Sequence, residues 1–421
     1  MRIKRYFTVQ EVSPYSSTSF RNHRTQLRNA DGLDKLSEII AIVPEDWSDI
    51  AADILVQKYF RKAGIPKRLK KIEEKGVPHF LWRSEEDNSC KEISEQEPQY
   101  THEADCRQLF DRLAGTWTYW GWKGKYFTAV SDAEAFFDEI RYILCNQIAA
   151  PNSPQWFNTG LYWAYGISGK AQGHWFTDSI SGRVQKSQSA YEHPQPHACF
   201  INSITDDLVN EGGIMDLWTK EARLFKYGSG TGTNFSSIRG KNEALAGGGY
   251  SSGLMSFLKI GDQVAGSIKS GGTTRRAAKM VIVNIDHPDI ESFISWKVQE
   301  EQKVAALVAG SQNCEQHLNA ILLAIVNYKT ENKTDCFSVQ KNLELCKAIK
   351  TARNTFIPES SIQRVISFAQ QGYTELKFET YNTDWDSDAY STVSGQNSNN
   401  TIRVTNNFFK AVNENDTWEL K

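Results

Sequence analysis

The sequence predicts an α/β fold, and two observations in its second half support that prediction. From residue 199 onward, apolar segments of strand length alternate with longer segments of helical spacing. One strand candidate, residues 280–285, is almost continuously apolar, which is typical of a strand buried on both faces. Such alternation predicts helices layered on a sheet, with the sheet either open or closed into a barrel.

Composition excludes several classes of protein. A chain of 421 residues has room for about two or three domains, and its formal net charge of −2 gives no general attraction for DNA, RNA or an acidic membrane. Its seven cysteines, without a Cys-x-x-Cys pair, are typical of a reducing compartment. No signal peptide or membrane-spanning run is evident. We therefore predict a cytoplasmic protein with no nucleic-acid or membrane partner.

The first region, residues 1–130, is predicted to be a mixture of helix and hairpin. Residues 49–62 have the apolar spacing of a helix. Residues 84–105 are acidic and poor in apolar side chains, which predicts an exposed loop or linker. Aromatic residues alternate around glycines at positions 117–127, and this pattern predicts a β-hairpin.

The second region, residues 131–421, opens with a predicted capping box at 131–134 and an amphipathic helix. Two prolines are then expected to keep residues 151–158 extended. The alternating pattern that follows predicts strands at 199–203, 233–238 and 280–285, helices at 208–227, 254–268 and from 287, and a last strand and helix within 401–412.

Glycines 228, 230 and 232 alternate with small hydroxyl residues between a predicted helix and the next predicted strand. Glycine allows positive φ and lets a ligand approach the backbone closely. A dinucleotide-binding turn and a P-loop both need the opposite order, strand before helix, and the P-loop also needs a Gly-Lys-Ser/Thr ending that is absent. Both of these interpretations are excluded.

Cys199 and Arg239 are the strongest candidates for chemistry. A buried inert cysteine is the default role for Cys199, but the glycine loop should converge with it at the strand ends, where ligands of α/β folds collect. Arg239 ends the next predicted strand, beside a glycine-rich segment, and its guanidinium suits phosphate. A solvated surface arginine is the alternative for that position.

Two further segments carry charge near these candidates. Asp206 and Asp207 are predicted to begin the helix after Cys199 and to complement its dipole. Residues 270–276 combine two glycines, three hydroxyls and two guanidiniums in one anion-seeking loop. No metal site is predicted, because His193 and His197 have no second cysteine at ligand spacing.

Together these segments resemble the adenosylcobalamin-dependent (class II) ribonucleotide reductases. The similarity is carried by Asn-Ser-Pro-Gln-Trp-Phe-Asn at 152–158, His-Ala-Cys-Phe at 197–200, and the runs 206–239 and 270–280. It extends from about residue 44 to residue 420. The resemblance implies that residues 131–421 form the first part of the family's ten-stranded α/β barrel, behind a mainly helical N-terminal region.

The resemblance also implies roles for individual residues. Cys199 would be the reducing cysteine beneath the ribose, which gives up electrons as the 2′-hydroxyl leaves and becomes half of a disulfide. Ser153, the Ala198 backbone and Gly230 would hold the substrate nucleotide. Asp206 would bind the effector deoxyribose and Arg239 the effector phosphates. A specificity loop between effector and substrate base would consist of Gly271, Gly272, Thr273, Thr274, Arg275 and Arg276.

The resemblance implies reduction of ribonucleotides to 2′-deoxyribonucleotides, and we expect the substrates to be diphosphates. The implied partners are adenosylcobalamin, a dNTP allosteric effector and a thioredoxin-type reductant. Both a monomer and a dimer are compatible with the resemblance. The family's Asn-x-Cys-x-Glu segment, which carries the thiyl-forming cysteine, does not occur after Cys199 in this sequence. We therefore expect the N-terminal portion of a split or truncated reductase, inactive alone and completed by a companion polypeptide with the second half of the barrel. The alternative is a non-catalytic dNTP-binding module that regulates a reductase.

Overall fold

The computed structural model describes residues 1–27, 37–89, 99–268, 277–329, 334–384 and 387–421. The chain divides into two compact units, each considered by itself. Unit 1 consists of residues 1–238, 264–283 and 399–403, and unit 2 of residues 239–263, 284–398 and 404–421. Helices and strands are mixed along the chain, which confirms the predicted α/β class.

The N-terminal part of unit 1 combines short antiparallel strand pairs with helices. The pairs are β1 (Phe20–Leu27) with β2 (Ser37–Pro44), β3 (Ile65–Pro66) with β6 (Tyr100–Thr101), and β4 (Leu69–Lys71) with β5 (Ser84–Glu86). The helices are α1 (Asp49–Ile54), extended by a π-helical turn at Leu55–Tyr59, a 3-10 turn at His79–Leu81, α2 (Cys106–Lys123) and α3 (Val130–Cys145). Buried side chains of β2, α1, α2 and α3 form one apolar core.

The hairpin predicted for residues 117–127 is wrong, because helix α2 covers most of that segment. Its glycines create room for aromatic rings instead of turns. A Cβ at Gly115 would lie 2.2 Å from the ring of Trp163, and one at Gly121 would lie 2.7 Å from the ring of Phe127. The alternation of aromatics and glycines therefore reflects close helix packing.

The acidic segment 84–105 is not simply an exposed linker. It supplies strands β5 and β6, and its Glu103 is buried with 1% exposure. Glu103 accepts a hydrogen bond from Nε of the buried Arg112 at 2.7 Å and another from the Tyr165 hydroxyl at 2.8 Å. A composition-based argument missed this because a single paired carboxylate hardly changes the average polarity of a segment.

Two local predictions ahead of the sheet are also wrong. Helix α3 begins at Val130, so Ser131 is not its cap, and the carboxylate of Asp132 accepts from the Ala129 amide instead. Residues predicted to be extended form helix α4 (Ser153–Asn158). Pro154 lies in its first turn, where the missing amide of proline costs no intrahelical hydrogen bond.

The rest of unit 1 leads into the central sheet. In chain order it contains α5 (Leu161–Tyr165), a hairpin of β7 (Trp175–Thr177) and β8 (Val184–Lys186), β9 (Cys199–Asn202), α6 (Ile214–Lys226), β10 (Gly230–Asn234), the end of α7 (Leu254–Ser267) and β11 (Lys279–Asn284). Within the described residues, the sheet order is β12-β11-β10-β9, where β12 is Ser398–Arg403. Strands β9, β10 and β11 are parallel. The predicted alternation of strand and helix is confirmed, and the described part of the sheet is open rather than a closed barrel. The bounds predicted for the middle strand, 233–238, are wrong, because the glycine segment itself forms β10 and the strand ends at Asn234.

Helix α6 starts later than the sequence predicts. It begins at Ile214, so Asp206 and Asp207 do not open it. The Asp207 carboxylate instead accepts from the amides of Val209 and Asn210, at 2.9 and 2.7 Å. A turn closed by the aspartate side chain competes successfully with early helix formation.

Unit 2 is mainly helical. It contains residues 254–263 of α7, the long α8 (Ile290–Val326), a 3-10 turn at Asp335–Phe337, α9 (Leu343–Asn354), α10 (Glu359–Gln370), α11 (Asp388–Ser391) and α12 (Asn406–Glu414). The C-terminal half of α8 packs with α9 and α10 around its own apolar core. Among the helices of the described residues, none combines the length and apolar character needed to cross a bilayer.

Candidate functional site

Three of the predicted site residues lie together where β9 and β10 begin. Cys199 is the first residue of β9, is exposed, and is in register with Gly230, the first residue of β10. The Gly230 amide donates a hydrogen bond to the Ala198 carbonyl at 2.5 Å, and the next amide, of Thr231, donates to the Ala278 carbonyl at 2.9 Å. The thiol and the glycine segment therefore share one strand edge.

The alternation of glycine and threonine in β10 separates two faces of the sheet. Cys199 on β9 is in register with Gly230 on β10. In a second row, Ile201, Gly232 and Met280 are in register across β9, β10 and β11. We name these five residues the glycine face. Its side chains are open to solvent, with Ile201 86% and Met280 41% exposed. A strand that alternates glycine with threonine thus places no side chains of its own on this face, although the backbone of Gly230 and Gly232 is buried by neighbouring residues.

The opposite side, which we name the threonine face, is largely buried, and its Thr231 and Lys279 contact Glu221 of α6. It comprises Phe200, Asn202, Thr231, Thr233, Lys279 and Val281. Thr231 and Thr233 are 4% and 0% exposed. The same strand therefore anchors the sheet on one side and leaves space on the other.

A buried ion pair lies at the centre of the threonine face. The Lys279 ammonium donates to Oε2 of Glu221 on α6, the Thr231 hydroxyl donates to its Oε1 at 3.0 Å, and both charged side chains are fully buried. The Lys279 nitrogen also lies 4.1 Å from the ring centroid of Trp218. Burial raises the pKa of Glu221, which Lys279 and Thr231 partly oppose by stabilising the carboxylate.

The sequence contains a signal for this pair that our prediction did not use. Glu221 lies four residues from Leu217 and four from Phe225, so it falls on the apolar stripe of α6. Lys279 begins an otherwise apolar strand. A charge on each of two buried surfaces is explained most simply by mutual pairing.

Gly230 is required for close approach rather than for an unusual backbone angle. A Cβ there would lie 3.0 Å from the Ala278 carbonyl oxygen and 3.2 Å from Sγ of Cys199. Gly228, in the preceding turn, does have a positive φ of 92°. The next residue, Ser229, donates its hydroxyl to the His197 carbonyl at 2.8 Å, which fixes the turn against the segment before Cys199.

Ser153 lies at the start of α4, and that helix is connected to the glycine turn. Nδ2 of Asn158, at the end of α4, donates to the carbonyl of Tyr227 at 2.8 Å. Arg112 fixes the same helix by donating to the carbonyls of Trp156 and Thr159, at 2.9 and 2.6 Å. Ser153 itself is half-buried.

The predicted effector residues Asp206 and Arg239 belong to different units of the chain. Asp206 is exposed and lies in the turn after β9, in unit 1, whereas Arg239 is the first residue of unit 2. Gly271, Gly272, Thr273, Thr274, Arg275 and Arg276 lie outside the described residues. The roles of these residues in effector binding therefore stay predictions.

Candidate metal ligands are sparse near the thiol. The His197 ring meets Phe200 edge-on, and His193 stacks on Phe176 with centroids 3.7 Å apart. Over the described ranges, no group of three or more His, Cys, Asp and Glu side chains is arranged to hold a metal ion. An Asn-x-Cys-x-Glu pattern does occur at residues 88–92, before Cys199, but residues 90–92 lie outside the described ranges.

Two family models match the sequence. "Class II vitamin B12-dependent ribonucleotide reductase" matches residues 21–147, and "Ribonucleotide reductase, barrel domain" matches residues 197–421. The second match contains every strand of the sheet that bears Cys199.

Curated relatives agree with these matches. The chain is 59% identical to the vitamin B12-dependent ribonucleotide reductase of Bradyrhizobium diazoefficiens and 60% identical to that of Agrobacterium fabrum, over 100% of this chain and 33% of each relative. A similarly named protein of Rhodopirellula baltica is 33% identical over 81% of this chain and 29% of its own length. The chain thus spans about a third of the length of the curated relatives it matches.

Proposed function

Because this chain belongs to the family of vitamin B12-dependent ribonucleotide reductases, we propose that it forms the first part of the catalytic barrel of such an enzyme. The completed enzyme would convert ribonucleotides to 2′-deoxyribonucleotides, and we propose diphosphates as its substrates. One observation supports this most directly: Cys199 lies exposed on the glycine face, in register with Gly230. A reducing thiol needs both solvent access and an unobstructed surface on which a ribose can lie.

Cys199 supplies reducing equivalents in this proposal. Its thiol and a second thiol lose two electrons and two protons as they join in a disulfide. The ribose 2′-hydroxyl leaves as water, and a hydrogen takes its place at that carbon. The second thiol and the radical-forming cysteine belong to further polypeptide, either covalently continuous or a companion chain, and a thioredoxin-type protein then reduces the disulfide. These thiols must be kept reduced, so we also place the protein in the cytoplasm.

The substrate would lie across the glycine face. Gly230 and Gly232 leave the backbone without side chains on this face, and we assign the Ala198 backbone and Ser153 as the polar groups that would hold the nucleotide. The Glu221–Lys279 pair positions this surface from behind, because Thr231 donates to Glu221 and directly follows Gly230.

A dNTP effector would use Asp206, Arg239 and the loop Gly271–Arg276. A carboxylate suits the hydroxyl of a deoxyribose, and a guanidinium offers paired donors to phosphate. A glycine-containing loop can change shape with the effector base and so couple the effector to substrate choice. Removing the guanidinium in Arg239→Ala should weaken dNTP binding at least tenfold, about 1.4 kcal/mol. Unchanged affinity in titration calorimetry would exclude Arg239 from the effector site.

Adenosylcobalamin supplies the radical-initiating chemistry in the proposed enzyme. No described residue stands out as a corrin contact: the histidines beside Cys199 present their rings to Phe200 and Phe176. We therefore assign no residue of this chain to the corrin.

The decisive experiment is Cys199→Ser in the complete enzyme. We expect turnover to be lost while dNTP binding, measured by calorimetry, stays unchanged, because the serine keeps the size of the side chain but cannot form a disulfide. Cys336→Ser, at a half-buried cysteine of unit 2, is the matched control and should retain activity. Multiple turnover by Cys199→Ser would refute the redox role. If the complete protein binds dNTPs but never reduces a ribonucleotide, the regulatory alternative is supported.

A further inference from the structure

Asn158, the last residue of helix α4, is a buried polar side chain that the proposed chemistry does not use. It is 4% exposed, and its Nδ2 donates a hydrogen bond to the Tyr227 carbonyl at 2.8 Å. The two residues are 69 positions apart in the sequence. A buried amide that bonds to so distant a carbonyl fixes how two segments of unit 1 pack, because either group would be costly to leave unpaired.

The Tyr227 carbonyl lies where the chain leaves α6 for the glycine strand. Tyr227 directly follows the helix, and Gly228 after it has the positive φ of 92°. The amides of Gly228 and Ser229 return to carbonyls in the last turn of α6, at 3.0 and 3.1 Å. Carbonyls at a helix end lack an intrahelical partner. Asn158 therefore supplies a donor from outside the helix at the point where the glycine turn begins.

The other side of α4 is held by a buried cation. Arg112 is 1% exposed, and its Nε donates to Glu103. Its terminal nitrogens donate to the carbonyls of Trp156 and Thr159 at the end of α4. Gly160 comes next, and a Cβ there would lie 2.4 Å from the Arg112 carbonyl oxygen. Contacts this close leave α4 little freedom to shift against α2.

Helix α4 also carries Ser153, its first residue. Asn158 follows five residues later, which is a rise of about 7.5 Å along a helix. The end of α4 is anchored to the glycine turn through Asn158, and the Ser229 hydroxyl anchors that turn to the His197 carbonyl, two residues before Cys199. One short helix thus connects Ser153 with the strand edge that carries the thiol.

We propose that Asn158 is a positioning residue, which sets the separation between Ser153 and the glycine turn so that both meet the same nucleotide. It acts through these two groups rather than by contact with the substrate. The inference rests on the proposed function, in which Ser153 and the Ala198 backbone hold the nucleotide on the glycine face. It deepens that function by adding a residue that determines substrate affinity from outside the site.

The first test is the steady-state kinetics of Asn158→Ala in the complete enzyme. KM for the ribonucleotide should rise at least about tenfold, whereas kcat should change less, because displaced binding groups weaken the ground state and the transition state together. KM does not depend on the folded fraction of the enzyme, so a loss of stability by itself would not raise it. An unchanged KM would overturn the inference.

Asn342→Ala is the matched control. Asn342 is 1% exposed, and its Nδ2 donates to the carbonyls of Ala324 and Cys336 in unit 2, at 2.8 and 2.9 Å. Its removal also breaks buried hydrogen bonds from an amide to carbonyls, so denaturation should show a loss of stability while KM stays that of the wild type. An equal rise of KM in both variants would indicate a general loosening of the protein and overturn the inference.

Asn158→Leu covers the case in which the alanine variant does not fold. Leucine keeps the branched shape of asparagine and fills its space, but it cannot donate to Tyr227, so KM should rise as in the alanine variant. If neither variant folds, Asn158 is a structural residue and the inference is refuted.

A double-mutant cycle with Ser153 separates positioning from the proposed function itself. Asn158→Ala should raise KM much less in a Ser153→Ala background, since a group that is absent cannot be misplaced. The same rise in both backgrounds would mean that Asn158 does not act through Ser153, against the inference. A normal KM in Ser153→Ala would refute the proposed role of Ser153 and this inference with it, whereas a raised KM in Ser153→Ala combined with a normal KM in Asn158→Ala would refute the inference alone.

Discussion

The glycine face and the threonine face of the central sheet are made by alternate residues of the same strands, yet their environments are opposite. One carries an exposed thiol, two glycines and the exposed side chains of Ile201 and Met280. The other carries a fully buried ion pair and two buried threonines. This difference teaches that the Gly-Thr-Gly-Thr sequence is not a flexible loop. It is a strand that is anchored through the side chains of one face and contributes no side chains to the other.

The largest effect should come from breaking the ion pair of the threonine face. Lys279→Met leaves Glu221 buried without its cation, and such changes typically cost about 3–5 kcal/mol of unfolding free energy. The double variant Glu221→Leu/Lys279→Met removes both charges and should recover most of this loss. Chemical denaturation measures both. If the double variant is as unstable as the single one, the pair acts through packing rather than through charge.

The stability of the Lys279→Met variant should depend on pH. Burial raises the pKa of Glu221, and removal of Lys279 takes away an opposing influence. When the folded-state pKa lies above the unfolded value, protonation favours the folded state, and this contribution is lost as pH rises through the folded-state pKa. Lys279→Met should therefore be less destabilised near about pH 5 than near about pH 8. A destabilisation that does not change between the two would contradict an ionised Glu221.

A smaller effect is expected from filling the glycine face. Gly230→Ala places a methyl group 3.0 Å from the Ala278 carbonyl oxygen and 3.2 Å from Sγ of Cys199, which should cost about 1–3 kcal/mol by overpacking. Gly232→Ala is the matched control. Its methyl would lie 3.3 Å from the tip of the exposed Ile201 side chain, which can move, and at an ordinary contact distance of 3.9 Å from Cβ of Met280. Equal losses of unfolding free energy in the two variants would show that strand propensity, not close approach, selects these glycines.

How far the sequence predicts this structure depends on the kind of signal. The strand and helix alternation after Cys199 was predictable because apolar periodicity persists over whole elements. The proximity of Cys199 to the glycine segment followed from the parallel strand order. By contrast, the helix at 106–123 was missed because its glycines accommodate the rings of Trp163 and Phe127, which are distant or beyond the helix end in sequence. The late start of α6 was missed because the Asp207 side chain closes a local turn.

The cysteines inside and outside the core differ in their access to solvent. Cys199 is exposed, whereas Cys106 and Cys145 are buried, and burial raises the pKa of the Cys145 thiol to about 11. Iodoacetamide should therefore modify Cys199 at least about tenfold faster than either buried cysteine, because the thiolate is the nucleophile and must be reached. Mass spectrometry of peptides after brief alkylation measures the ratio. Equal modification under native conditions would mean that Cys199 is shielded or that the N-terminal core opens readily.

The smallest effect should come from Ile201→Ser on the glycine face. Its side chain is 86% exposed, so loss of its apolar surface should change the unfolding free energy by no more than about 0.5 kcal/mol. Val281→Ala is the matched change on the threonine face, where the side chain is 1% exposed, and it should cost about 2 kcal/mol. Denaturation of the 421-residue chain and of the complete protein checks both. An Ile201→Ser loss that appears only in the complete protein would show that further polypeptide covers the glycine face, whereas a loss in both would mean that Ile201 is already packed within this chain.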